Sequence, residues 1–148
     1  MKIGITCSAG GHLIEALQLL PLFKNHDIFF ITIRRVQTQQ LLKRYKVFFV
    51  VDPKRSPIKL LINLVQSFQI LLRERPKVMI STGAGVAVPV CYIGKLIGSK
   101  VVFIETLAAV YKPSLAGRFI YPIADLFIIQ WKHLLKFYKK AVYGGQLI

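Results

Sequence analysis

The amino-acid sequence predicts an α/β domain with an open parallel sheet and helices on both faces. Short apolar runs rich in Val, Ile and Phe recur along the chain, as is typical of parallel strands that are buried on both faces. Longer segments with helical character separate most of these runs, so that strand and helix alternate. The chain has 148 residues, of which 54% are hydrophobic, so it can bury the core of one domain.

Six strands and four helices are predicted. The strands lie at residues 3–7, 28–32, 47–51, 78–81, 101–104 and 126–129, and the helices at residues 12–20, 36–45, 57–73 and 86–97. No internal repeat or linker rich in Pro, Gly and Ser divides the chain, so residues 1–148 are expected to form a single Rossmann-like domain. In open sheets of this kind, ligands bind beyond the carboxyl ends of the strands. The loops after the first, fourth and fifth strands are therefore the places to look for a site.

The first predicted strand is followed by a glycine loop, Ser8-Ala9-Gly10-Gly11-His12, which leads into a helix. Paired glycines let the backbone turn tightly and present free N–H groups at the positive end of a helix, which suits a phosphate group. A tight turn without a ligand produces the same pattern. The histidine is either a base or phosphate contact, or a helix-capping or solvated imidazole.

A second glycine loop follows the fourth predicted strand and contains Thr82, Gly83 and Gly85. Two glycine loops after neighbouring strands would face one crevice and hold a diphosphate between them. Glu105 follows the fifth strand, where a carboxylate is placed to bind a sugar hydroxyl or to act as a general base. The first loop does not match the dinucleotide fingerprint, and the chain contains no P-loop of the Walker type.

The charge of the chain is strongly unbalanced, because 21 Lys and Arg residues against six Asp and Glu residues give a net charge of +15. Such a field favours an anionic partner, either nucleic acid or the anionic surface of a membrane. The predicted helix 57–73 carries apolar residues on more than one face and is bracketed by cations, as an interfacial helix would be. An ordinary crossover helix packed on the sheet is the alternative. The residues expected to face a membrane are Lys54, Arg55, Lys59, Phe68 and Arg73.

The sequence argues against several other kinds of site. His12, His26 and His133 are far apart and show no metal-binding spacing, so neither a metal nor another cofactor is expected. Cys7 and Cys91 lie in apolar segments and are expected to be reduced core residues. The longest uncharged apolar stretch is too short to span a bilayer, and no signal peptide precedes the first strand. A protein without a membrane-spanning helix, on the cytoplasmic side, is therefore expected.

Four further segments complete a recognisable set of motifs: ETLAAV at 105–110, PSLAGR at 113–118, YPIADLFIIQW at 121–131 and YGG at 143–145. Together with the two glycine loops, they resemble the membrane-anchoring subunit of the two-part UDP-N-acetylglucosamine transferase of lipid-linked oligosaccharide synthesis. Prokaryotic relatives in capsule and exopolysaccharide assembly belong to the same family. The resemblance covers nearly the whole chain. It departs from the family at Ala109, where Arg is common, and the start at the first strand resembles the prokaryotic form.

The resemblance implies the N-terminal, acceptor-binding half of a GT-B glycosyltransferase whose donor-binding half is a separate chain. It implies inverting transfer of a sugar from a UDP-sugar to a polyprenyl-diphosphate-linked sugar at the cytoplasmic face of the membrane, with no activity of this chain alone. His12 and Glu105 would position the acceptor or serve as the base, and the sequence leaves open which of them is the base. The residues implied for binding the acceptor diphosphate are Gly10, Gly11, Thr82, Gly83 and Gly85.

The C-terminal tail, residues 131–148, places large apolar groups beside cations. In a two-domain GT-B enzyme the chain would cross to the donor half near this point, so we expect the tail to dock the donor-binding subunit. A tail packed on its own sheet is the alternative. The residues expected to anchor the partner are Trp131, Phe137, Tyr138 and Tyr143.

Two functions of other classes stay open from the residues alone: a nucleotide-cofactor oxidoreductase and a basic nucleic-acid-binding module. NAD binding is disfavoured because Arg34 and Arg35 stand where a ribose-binding acid would follow the second strand. Nucleic acid is not an expected partner, because the aromatic residues that would stack on bases fall inside predicted core strands. These aromatic residues are Phe29, Phe30, Phe48 and Phe49.

Overall fold

Every strand of the chain belongs to one parallel sheet. The computed structural model describes residues 1–148. Its strands are Lys2–Cys7 (β1), Asp27–Thr32 (β2), Lys46–Phe49 (β3), Val78–Gly83 (β4), Lys100–Ile104 (β5), Leu126–Ile129 (β6) and Val142–Tyr143 (β7). Their order across the sheet is β3-β2-β1-β4-β5-β6-β7, and all neighbours are parallel. The loops after β1, β4 and β5 therefore meet at one edge of the sheet.

Helices cover both faces of this sheet. The α-helices are Gly11–Leu19 (α1), Val36–Gln39 (α2), Pro57–Glu74 (α3), Ala87–Leu96 (α4) and Leu115–Ile120 (α5), and 3₁₀ helices lie at Leu20–Phe23, Gln40–Lys43 and Lys132–Lys136. On one face, Ile5 of β1 packs with Ala16 of α1. On the other face, Met79 of β4 packs with Leu71 of α3 and Val90 of α4, and α5 packs over β5 and β6. The predicted fold class is confirmed.

The six predicted strands are present, and none of their ends is shifted by more than two residues. Other elements differ from the prediction. The helix predicted at residues 36–45 is wrong in its second half, where 3₁₀ helix follows α2, and the sequence contains no residue that requires this change. The sequence prediction lacks β7, which has two residues and pairs only with β6. It also lacks α5, which contains Gly117, a poor helix former.

Both cysteines lie in the core as free thiols, as the sequence predicts. Burial raises the pKa of the Cys7 and Cys91 thiols to about 12. Both side chains therefore stay protonated at neutral pH and behave as small apolar residues.

Candidate functional site

The glycine loops after β1 and β4 lie side by side and are held together by two hydrogen bonds. The Thr82 hydroxyl donates to the backbone carbonyl of His12 at 2.6 Å. In return, the His12 ring donates from Nδ1 to the backbone carbonyl of Thr82 at 2.9 Å. The two loops therefore border one crevice at the carboxyl edge of the sheet, the place where an open parallel sheet binds its ligands.

This pair of hydrogen bonds fixes the orientation of the His12 ring. A carbonyl oxygen only accepts hydrogen bonds, so Nδ1 carries a hydrogen and Nε2 of the neutral ring is left as the acceptor. Gly83 makes room for the ring, because an added Cβ would lie 2.9 Å from Nδ1. Its φ of +119° also favours glycine. The half-buried imidazole is thus held in the tautomer that a general base requires.

Both glycine loops lead into helix N-termini that have no side-chain cap. The residue before α1 is Gly10, with a φ of +74°, and the residue before α4 is Val86. Neither helix has an acidic residue in its first turn, so no side chain there compensates the positive helix end. The first N–H groups of α4 bond to backbone carbonyls of the loop before it. A Cβ added at Gly10, Gly11 or Gly85 would meet no atom within 4 Å. The backbone of both loops therefore faces open space in which an anion can approach closely.

The second glycine loop contains a strained residue between its two glycines. Ala84 has a φ of +75°, a conformation that costs a residue with a side chain about 1–3 kcal/mol. Such strain persists where the surrounding structure fixes the backbone, and it is common in loops that bind ligands. The strain at Ala84 agrees with a functional role for this loop.

Glu105 lies beneath the loop after β5 and not in the crevice. Its side chain is fully buried, and its carboxylate accepts hydrogen bonds from the Ser114 hydroxyl at 2.5 Å and the Tyr138 hydroxyl at 2.7 Å. The backbone N–H groups of Thr106 and Ser114 donate to it at 3.0 Å. The prediction of Glu105 as a general base is therefore wrong, because the chain's own donors enclose the carboxylate. Burial and the bond to Glu105 raise the pKa of Tyr138, so the phenol stays the donor.

Glu15, on α1, ties the first glycine loop to the loop after β5 and was not predicted from the sequence. It is 3% exposed, and its Oε1 accepts from the backbone N–H of Leu107 at 2.7 Å and from the Thr106 hydroxyl at 3.3 Å. Its Oε2 has no hydrogen-bond partner. The sequence feature that could have identified Glu15 is its position three residues after His12, on the same side of a short helix. With Glu105, it makes the loop after β5 a fixed wall of the crevice.

Two of the aromatic residues predicted to dock a partner instead hold the chain's own structure. Tyr138 is 2% exposed and its hydroxyl is bound to Glu105, so its prediction as a partner anchor is wrong. Trp131 is half-buried, and its indole N–H donates to the carbonyl of Leu107 at 2.7 Å. An indole or phenol that is buried next to an acceptor forms a hydrogen bond there, and sequence pattern alone does not reveal such an acceptor.

The other two predicted anchors lie on the surface. Phe137 is 44% exposed and Tyr143 is 45% exposed. The last residues nevertheless pack on the chain's own sheet: β7 pairs with β6, and the Leu147 N–H donates to Gln130 Oε1 at 2.9 Å. The tail is therefore part of the fold and presents two aromatic side chains outward.

Helix α3 buries polar as well as apolar side chains and exposes a row of apolar side chains. Asn63 and Ser67 are fully buried; the Asn63 amide donates to the carbonyl of Val51 at 2.8 Å, and the Ser67 hydroxyl donates to Asn63 Oδ1 at 2.8 Å. We call the opposite side the outer face of α3, and its apolar residues, each at least 37% exposed, are Ile58, Leu61, Ile62, Val65, Phe68 and Leu72. An exposed apolar face of this length marks an interaction surface.

Cations accompany this outer face, although no helix spans a bilayer. Lys59 and Arg73 lie on α3 itself, and Lys54 and Arg55 lie in the loop before it; all four are exposed. None of the helices has both the length and the apolar character that crossing a membrane requires. All five residues predicted to face a membrane are thus accessible in or next to α3, since Phe68 is 42% exposed.

Residues 50–147 of the chain match the family described as "Oligosaccharide biosynthesis protein Alg14 like". The UDP-N-acetylglucosamine transferase subunit ALG14 of Candida albicans is 44% identical over 84 residues, which cover 53% of this chain and 38% of that protein. The subunit of the same name from Debaryomyces hansenii is 35% identical over 105 residues, or 67% of this chain and 45% of that protein. The matched part of the chain is thus less than half the length of these relatives.

Solved structures share the fold at low sequence identity. MurG of Acinetobacter baumannii superimposes with a TM-score of 0.77 at 14% identity, over 90% of this chain and 42% of that chain. UDP-N-acetylglucosamine 2-epimerase of Rickettsia bellii superimposes with a TM-score of 0.79 at 12% identity, over 99% of this chain and 45% of that chain. At these identities the likeness concerns the fold alone, which is that of one Rossmann-like half of a GT-B glycosyltransferase.

Proposed function

This chain belongs to the Alg14-like family of oligosaccharide biosynthesis proteins, and we propose that it is the acceptor-binding half of a split glycosyltransferase. The observation that carries the proposal is the crevice between the two glycine loops, which are clamped by His12 and Thr82 and open above Gly10, Gly11 and Gly85. Uncapped helix N-termini and close backbone approach suit a diphosphate. Family membership favours this function over an oxidoreductase or a nucleic-acid-binding module.

The proposed reaction transfers a sugar from a UDP-sugar to a polyprenyl-diphosphate-linked sugar. The acceptor hydroxyl oxygen forms a bond to the anomeric carbon, the bond from that carbon to the UDP oxygen breaks, and UDP leaves with the electron pair. His12 Nε2 takes the proton of the hydroxyl as the new bond forms. The loops around Gly11 and Gly83 hold the diphosphate and so place the hydroxyl near the imidazole.

The partner in this proposal is a separate chain that binds the UDP-sugar. Its support is that the curated relatives are named subunits of a UDP-N-acetylglucosamine transferase. Phe137 and Tyr143 are the exposed aromatic side chains of the tail, and such residues commonly anchor an interface.

We expect the purified chain alone to show neither sugar transfer nor measurable affinity for a UDP-sugar, and co-expression with its donor-binding chain to restore transfer. Replacing both Phe137 and Tyr143 with Ala should weaken capture of that chain at least about tenfold, as the loss of two aromatic anchors does. The matched control is Tyr111→Ala, since Tyr111 is 84% exposed and outside the tail. Turnover by the isolated chain would refute the split enzyme, and unchanged capture by the double variant would refute docking at the tail.

The membrane contact in this proposal is the outer face of α3, with the enzyme attached peripherally at the cytoplasmic face. Its apolar side chains would enter the headgroup region, while Lys54, Arg55, Lys59 and Arg73 would lie against anionic lipid. This arrangement would bring the crevice to the surface in which a polyprenyl diphosphate is held.

The chain should therefore co-sediment with anionic vesicles more strongly than with neutral ones, and part of the binding should survive salt that screens the charges. Replacing Leu61 and Phe68 with Gln should lower the salt-resistant part at least about tenfold, because two apolar side chains no longer insert. Leu22→Gln is the control, since Leu22 is 73% exposed and follows α1 on the other face of the sheet. Equal loss from both variants, or none from either, would exclude the outer face of α3.

A further inference from the structure

A pocket of about 580 Å³ opens beside the crevice, between the residues that precede α3, the second glycine loop and α5. Its volume lies within the range of about 300–1,000 Å³ that small-molecule sites occupy. One wall is Leu60 of α3, a second is Val88 of α4, and a third is formed by Leu115 and Phe119 of α5. The chemistry already assigned to His12 and the glycine loops leaves this apolar pocket without a role.

The pocket is continuous with the glycine loop that faces the crevice. Ala84 and Gly85 belong to that loop and also line the pocket. Lys54 and Arg55 line it from the side of α3, and both are exposed. The pocket thus combines the backbone of a glycine loop and two cations with apolar side chains on its other walls. This combination fits an amphiphile with an anionic group directly joined to an apolar chain.

The walls of the pocket are held in place before any ligand binds. The Tyr92 hydroxyl of α4 donates to the carbonyl of Phe119 at 2.6 Å, which braces α5 against α4. Ser114 caps α5 by accepting from the Gly117 N–H at 3.0 Å, and the buried Glu105 carboxylate fixes Ser114 from below. Leu115 and Phe119 nevertheless stay 64% and 52% exposed. A preformed apolar pocket with exposed walls is suited to covering by a ligand chain.

We propose that this pocket binds the isoprene units of the acceptor that are nearest its diphosphate. The inference rests on the proposed function and adds a chain subsite to the diphosphate site. The isoprenoid chain is bonded to the diphosphate, so it must leave the glycine loop at the point where the diphosphate ends. Ala84 and Gly85 of that loop line the pocket, so a chain that leaves the loop beside them would enter it. Lys54 and Arg55 complement the phosphate charge at the same entrance.

The test compares two soluble acceptors on the assembled enzyme: N-acetylglucosaminyl diphosphate esterified with farnesyl or with methyl. Wild type should bind the farnesyl ester at least about tenfold more tightly, as burial of a multi-carbon apolar chain predicts. Two variants, Val88→Trp, which fills the pocket, and the double change of Leu115 and Phe119 to Gln, should lower that ratio at least about fivefold. The matched control is Leu96→Gln, since Leu96 is a 76% exposed residue of α4 outside the pocket.

The outcomes separate this inference from the proposed function. Equal affinity of wild type for both esters, or an unchanged ratio in both pocket variants with unchanged thermal midpoints, overturns the chain subsite. If the pocket variants lose binding to phosphatidylcholine vesicles but keep the farnesyl-to-methyl affinity ratio, the pocket binds membrane acyl chains. That outcome also overturns the chain subsite. Absence of binding and turnover with both esters in wild type would instead refute the proposed function. The double variant changes two exposed residues, so its effect does not depend on refolding of the core.

Discussion

Replacing His12 with Ala is expected to lower kcat of the assembled enzyme at least about 10²-fold, the usual contribution of a general base. The Thr82 carbonyl holds Nδ1 at 2.9 Å, so Nε2 is left to accept the proton of the attacking hydroxyl. The measurement is kcat of the wild-type and variant enzymes, with partner capture as a check on assembly.

His26→Ala provides the matched control for this substitution. His26 lies before β2, where its Nδ1 contacts the N-terminal amine of Met1 at 3.1 Å, and it is far in sequence from both glycine loops. Its loss should leave kcat unchanged. A His12→Ala enzyme with near-normal turnover would show that the ring merely fastens the two loops.

Replacing Glu105 with Ala is expected to lower the free energy of unfolding by about 3 kcal/mol or more. The Tyr138 hydroxyl and the Ser114 hydroxyl would lose a charged acceptor, and each buried donor left without a partner costs about 1–3 kcal/mol. A cavity would add to this cost. Urea unfolding of the isolated chain measures the effect. Because a domain is stable by about 5–15 kcal/mol, such a loss is large.

Tyr138→Phe distinguishes the loss of every hydrogen bond to Glu105 from the loss of a single one. This substitution removes one donor to the carboxylate and keeps the ring, so it should cost about 1–2 kcal/mol. If Glu105→Ala costs no more than Tyr138→Phe, then Glu105 does not organise the loop after β5. In that event its burial would have to be explained by packing alone.

The sequence predicts the central part of the fold well because local pattern and tertiary environment agree there. Strands β1, β4 and β5 are continuous apolar runs, and burial on both faces requires such runs. Elements that depend on contacts between residues far apart in the sequence cannot be predicted in this way. The glycine in α5 is explained by its tertiary contacts, since a Cβ at Gly117 would clash with Glu105 Oε2 and Tyr138 OH. The orientation of α3 depends likewise on the Val51 carbonyl, which binds Asn63 and draws the polar side inward.

The candidate site likewise has one part that the sequence predicts and one part that it does not. Neighbouring parallel strands end at one edge, so the contact between the His12 and Thr82 loops follows from the order of the strands. Glu105 is buried because residues 106–114 fold over its carboxylate and Ser114 supplies hydrogen-bond donors. No local sequence pattern predicts this folding. Glu15 contacts Leu107 across 92 positions of sequence. A contact of this kind requires the structure.

Binding of the farnesyl diphosphate-linked N-acetylglucosamine to wild type and to Gly11→Ala tests most directly whether the glycine loops hold the acceptor diphosphate. A Cβ at Gly11 meets no atom of the chain within 4 Å, and Ala is a better helix former than Gly, so the thermal midpoint should not fall. The same Cβ would stand in the space that the diphosphate needs, so we expect affinity to drop at least about tenfold, or about 1.4 kcal/mol. Equal affinity of the two proteins, at equal stability, would contradict the proposed site.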